Sequence, residues 1–263
     1  VTRADIAEHL RLGLPMGFQA SIIAIGTITV QVALNMLGAD AVAAYTTASR
    51  VDSIAVAFLS SIGLAASMYA AQNLGGRRPD RIRRGVTQAI WMAVITAVVL
   101  GALLVLFGSS MVRVFIGDGS DEVVRLAALM LLINGLTYTA LGVLFVLRGV
   151  LQGLGHTLIP TITGVIELVM RVGAAVVLGA LIGYPGVALS NPLAWFGAAA
   201  LLIPAYVKAH RQLAAMPVDP VEVTPTTAIP VVGPTDGSMV VDGVFTAPVP
   251  VVRRRARLKV GRR

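Results

Sequence analysis

From Leu14 to Val207 the chain alternates long apolar stretches with short polar breaks. Each stretch is near the ~20 residues that a helix needs to cross ~30 Å of hydrocarbon. The pattern predicts six spans. The first runs from Leu14 to Leu37, opened by Pro15 and closed at Gly38–Ala39–Asp40. The second covers Val42–Leu74 and is too long for one crossing, which places its membrane part at Thr47–Ala70. The others follow at Val86–Phe107, Val123–Leu147, Leu158–Ile182 and Val187–Val207. The main breaks are Gly75–Gly85, Gly117–Glu122, Gly153–Thr157 and Tyr184–Pro185–Gly186. A helix of a soluble protein keeps a polar face toward water. These keep none, so the expected fold class is all-α, a polytopic membrane protein.

Composition sharpens this reading. Hydrophobic residues make up 56% of the chain and charged residues 13%, with a mean hydropathy of +0.83. Soluble domains carry about a quarter of their residues charged. The absence of Cys excludes disulfides, a thiol nucleophile, iron–sulfur ligation and Cys-bound zinc. His9, His156 and His210 fall in or beside connections, far apart, and read as solvated groups rather than metal ligands. Gly153–Leu154–Gly155 lacks the Lys–Ser/Thr of a phosphate loop. With no nucleophile–base pair either, no enzyme is expected.

The +8 charge is distributed by topology. Arg3 and Arg11, the cluster Arg77, Arg78, Arg81, Arg83 and Arg84, then Arg148, then Lys208 and Arg211 fall on alternate connections. Asp40, Asp118, Asp121 and Glu122 fall on the others, with Arg113. The positive-inside rule therefore predicts a multi-pass protein of the cell membrane with both termini cytoplasmic. The arginine cluster has no interleaved aromatics and reads as a topology signal beside anionic headgroups, not as a nucleic-acid surface.

Three regions follow. Residues 1–12 are a polar cytoplasmic lead-in without a signal-peptide pattern, and residues 13–213 form the six-helix body. Residues 214–263 are a tail with seven prolines between Pro217 and Pro250 and a basic end from Arg253. Such proline density opposes helix, so the tail is expected to be disordered and held near membrane lipids by its end.

Several patterns, in order, resemble the C-terminal lobe of a multidrug and toxic compound extrusion (MATE) transporter. They are Gly13–Leu14–Pro15–Met16–Gly17–Phe18–Gln19 continuing to Gln31, Asn35 and Gly38, then Ala44–Tyr45 and Arg50, then Ala71–Gln72–Asn73–Leu74–Gly75–Gly76. Arg148–Gly149–Val150–Leu151–Gln152–Gly153–Leu154–Gly155–His156–Thr157 with Pro160, and Ile166–Glu167–Leu168–Val169–Met170–Arg171, complete them. The resemblance implies one six-helix lobe of a twelve-helix antiporter that exchanges H⁺ or Na⁺ for small cationic or amphipathic drugs or metabolites. It also implies a missing N-terminal lobe or a partner half, so a fragment, a truncated product or a half-transporter is expected. The acidic residue that some members carry in the first helix of this lobe is absent, since Gly17–Ala33 holds no Asp or Glu. A lipid-linked oligosaccharide flippase of the same superfamily and a non-transporting assembly module are the alternatives.

The intramembrane charges narrow the candidate chemistry. Each costs about 2.5–3.5 kcal/mol at mid-membrane on insertion scales and so needs partners or water. Glu167 and Arg171 share one helical face four residues apart, and Arg50 reaches a similar depth from the other side. An Arg50–Glu167–Arg171 cluster is therefore expected, either as an ion-coupling site or as a structural lock, with Glu167 its main acid. Asp52 is a second acidic candidate beside Arg50. Gln19, Gln31, Asn35 and Asn134 are possible cavity contacts or interhelical hydrogen-bond partners. Gly149 and Gly153, four apart, allow close helix approach.

Overall fold

The computed structural model describes residues 24–116 and 120–216, with Gly13, Leu14, Gly17 and Ser21 described singly. The lead-in, Gln19, Asp118 and the proline-rich tail lie outside the described residues. The body belongs to one compact unit, Val1–Val218. The described residues form helices and no strands: α1 (Ala24–Asn35), α2 (Ala39–Gly75), α3 (Pro79–Ile116), α4 (Asp121–Gly153), α5 (Leu158–Ile182), α6 (Tyr184–Ala188) and α7 (Ser190–Ala215). Five helical stretches are long and apolar enough to cross a membrane, α6 and α7 counting together. The expected first span is described as helix from residue 24 onward.

Helix ends differ most from expectation. At ~1.5 Å per residue, the 37 residues of α2 and the 38 of α3 make rods of about 55 Å, well beyond a bilayer core. Residues expected in loops are instead helical. Pro79 starts α3, where its missing N–H costs nothing, so Arg81, Arg83 and Arg84 stand on the first turns of that helix. Only Gly76–Arg78 is left to turn the chain. Likewise Asp121 and Glu122 open α4, where carboxylates suit the positive end of the helix dipole. Arg113 in the last turn of α3 bonds Asp121 across the connection at 3.0 Å. The expected break at Tyr184–Pro185–Gly186 is the short helix α6, reached through Gly183 at φ 69°, a conformation that suits glycine.

α4 is the axis of the unit and packs against α2, α3 and α7, while α5 packs against α6 and α7. Its buried residues point all around the helix, from Val124 and Leu131 to Leu144 and Leu151. Helix backbones touch where side chains vanish. A Cβ on Gly149 would strike the Gly63 carbonyl of α2, and one on Gly153 would strike that of Ser67. Gly101 and Gly135 do the same for α3 and α4. Such small-residue contacts are how membrane helices associate where lipid supplies no hydrophobic drive between them. The outer surface stays apolar, with Trp91, Val98 and Leu106 of α3 exposed.

Candidate functional site

Two polar clusters occupy the apolar interior. In the first, Arg148 of α4 donates to Glu167 Oε2 at 2.5 Å, and Arg171 of α5 donates to Glu167 Oε1 at 3.1 Å. The side chains of Arg148 and Glu167 are each 10% exposed and that of Arg171 14%. Each carboxylate oxygen thus has its own guanidinium, the charge-assisted bonding that a buried carboxylate needs.

The second cluster joins α2 to α4. Tyr138 donates its hydroxyl proton to Asp52 Oδ1 at 2.6 Å, and Asn134 Nδ2 donates to the same oxygen at 2.8 Å. Asn134 and Tyr138 are fully buried, and Trp195 of α7 closes over the Tyr138 ring at 6.1 Å between centroids. Among the described residues Asp52 therefore has two neutral donors and no cation bonded to it. Arg171 is close enough to act on Asp52 through its charge, which links the clusters. Together they hold two positive and two negative groups.

Some interior polar atoms have no hydrogen-bond partner among the described residues. Asn134 Oδ1, Tyr184 Oη and Ser190 Oγ are three of them. Tyr45 stands beside Asn191 and within reach of the Arg171 charge, extending the polar interior toward the start of α7. Spare acceptors beside a carboxylate can receive a proton donor or a small cation.

One expectation needs correction. Arg50 is exposed and does not join Glu167, because Ala48, Val51 and Ala55 form the buried face of α2 and Arg50 lies off it. Its expected place is taken by Arg148, which lies inside the bundle rather than in a connection because α4 runs six residues beyond Leu147. Of the two roles expected for Asn134, cavity contact or interhelical hydrogen-bond partner, it makes the interhelical bond, from α4 to Asp52 of α2. Gln31 and Asn35 are exposed on α1 and bonded to each other at 3.3 Å.

Known proteins resemble this chain in sequence and in fold. The sequence matches the MatE family over residues 15–177. It is 28% identical over 159 residues to the probable multidrug resistance protein YoeA of Bacillus subtilis, covering 60% of this chain and 34% of that protein. It is 30% identical over 155 residues to the probable multidrug resistance protein NorM of Mannheimia succiniciproducens, covering 59% of this chain and 33% of that one. The chain thus spans about a third of the length of these curated relatives. Its fold is similar to that of the Vibrio cholerae MATE transporter VcmN in the bent form, with a TM-score of 0.73 at 17% identity over 81% of this chain and 49% of that one. A MOP superfamily transporter from Pyrococcus furiosus gives a TM-score of 0.71 at 18% identity, over 76% of this chain and 44% of the other. With the family matched over most of the helical body, this chain belongs to the MatE family.

Proposed function

We propose that this six-helix body works as one lobe of a secondary transporter that moves small cationic or amphipathic compounds out of the cell in exchange for H⁺ or Na⁺. A second lobe of similar size completes the cavity. The relatives named above as multidrug resistance proteins support the substrate class, and their greater length supports the second lobe.

The observation that carries this reading is the contrast between the buried Glu167 and the half-buried Asp52. Glu167 is matched on both oxygens by guanidinium groups, so gaining or losing a cation there would break two ion pairs. It is assigned the structural role. Asp52 is held by neutral donors beside the spare Asn134 Oδ1 and is assigned the exchanging role. Gln31, Asn35 and Arg50 are exposed polar groups on α1 and α2, and an exposed intramembrane Arg requires water or a partner rather than lipid. That face lines the cleft toward the second lobe.

The test uses the chain together with its complementary lobe, reconstituted in vesicles, with a fluorescent organic cation as substrate and an imposed H⁺ or Na⁺ gradient. Asp52→Asn should abolish gradient-driven movement while thermal unfolding stays near that of the parent. Glu167→Gln should lower the unfolding temperature. Full gradient-driven transport by a folded Asp52→Asn protein would overturn the assignment.

A further inference from the structure

A groove on the outside of the bundle pairs unbalanced positive charge with an apolar floor. It lies between the first turns of α3 and the last turns of α7, at the end of the unit that carries the arginine cluster. Thr87, Ile90 and Trp91 face Tyr206, Val207 and Arg211 across a hollow of about 270 Å³. Val207 and Arg211 also line a neighbouring hollow of about 680 Å³ that continues along α7 past Pro204 and Lys208.

The chemistry of the walls is divided. Arg83 Nε donates to His210 Nε2 at 3.2 Å, so His210 serves as an acceptor there and brings no negative charge. Tyr206 packs on the same imidazole, with ring centroids 5.7 Å apart. No described carboxylate pairs with Arg83, Lys208 or Arg211. Asp80, the acidic residue described at this end, is held by Arg78 through two 3.1 Å bonds. Deeper in the membrane the groove turns apolar: Trp91 is 64% exposed, Ile203 49% and Val207 42%. A free inorganic anion would use the cations and leave this floor uncovered. A ligand with an anionic head and a hydrocarbon tail uses both, and basic hollows between membrane helices suit such headgroups.

We propose that the α3–α7 groove binds one anionic phospholipid, its phosphate held by Arg83, Arg211 and Lys208 and an acyl chain laid over Ile90, Trp91 and Val207. The site differs from the interior clusters in position and in chemistry. It does not depend on transport.

Trp91 is a built-in reporter, because the other tryptophan, Trp195, is only 4% exposed inside the bundle. The full chain is reconstituted in bilayers that contain a low mole fraction of brominated phosphatidylglycerol or of brominated phosphatidylcholine. The anionic quencher should dim Trp91 at a clearly lower mole fraction than the zwitterionic one. Arg83→Gln with Arg211→Gln should raise the required fraction roughly fivefold per cation removed, the scale of one basic side chain at an anionic surface. Lys208→Gln supplies a milder single change if the double variant folds poorly. Arg81→Gln with Arg84→Gln removes the same charge at the same end outside the groove and should leave the preference intact. Equal quenching by both lipids in the parent would overturn the site. So would equal weakening by the two double variants, which would mean diffuse surface attraction, or protection of Trp91 from both lipids, which would mean that a second copy covers the groove.

Discussion

Arg148 and Glu167 meet at 2.5 Å across the α4–α5 turn, 19 positions apart in the chain. Their side chains are nine-tenths buried, so neither charge has water to fall back on. Removing one partner of such a pair costs about 3–5 kcal/mol, because the other charge is stranded. Glu167→Gln, which strands two arginines, should therefore lower the unfolding temperature in detergent clearly. Replacing Arg148 and Glu167 together with Met and Leu should recover only part of the loss, since Arg171 stays stranded, and replacing Arg171 with Leu as well should recover more. The Arg125–Glu122 pair is almost as short at 2.7 Å, yet it is exposed, and Glu122→Gln should leave unfolding unchanged.

The glycine contacts separate packing from helix propensity. Gly149→Ala places a methyl against the Gly63 carbonyl and should destabilise by about 1–3 kcal/mol, the usual cost of overpacking. Gly173 has open space around its missing Cβ. Gly173→Ala should be neutral or stabilising by up to about 1 kcal/mol, since Ala is the better helix former. Thermal melts of both variants check the pair.

Orientation is read by thiol labelling on a background with no native Cys. In intact cells, Ser120→Cys should react with a membrane-impermeant reagent and Asp80→Cys should not. The opposite pattern would invert the topology drawn from the basic connections.

Water along the α1–α2 face is tested the same way. Asn35→Cys and Arg50→Cys should react with a water-soluble thiol reagent, because thiolate forms only where water reaches. Val98→Cys, also at an exposed position but on the apolar outer surface of α3, should stay unmodified. Protection of Arg50→Cys would place that face against lipid or protein instead of a cleft.

Local signals in the sequence served well where partners are close along the chain. The limits of α5 coincide with expectation because Thr157 and Gly183 bracket an unbroken apolar run. The Glu167–Arg171 contact follows from four-residue spacing on one helix. Arg148 was hidden because it follows the last apolar residue of its stretch, and a polar residue in the final turns of a long helix looks like the start of a loop. The bonds from Asn134 and Tyr138 to Asp52 join residues 82 and 86 positions apart, a relation fixed by helix packing and carried by no local pattern.

The position of the charges also sets an order of events during synthesis. Asp52 enters with α2 and Arg148 with α4, so one charge of each sign is present before α5 exists. They do not neutralise each other: Tyr138, which holds Asp52, and Arg148 are ten residues apart on α4, about 15 Å along the helix. The next helix delivers Glu167 to Arg148 and, four residues on, the Arg171 that bonds the same carboxylate. In the nascent chain α5 is thus an electrostatic latch, and the arrival of its middle turn ends the interval in which Arg148 stands without its countercharge.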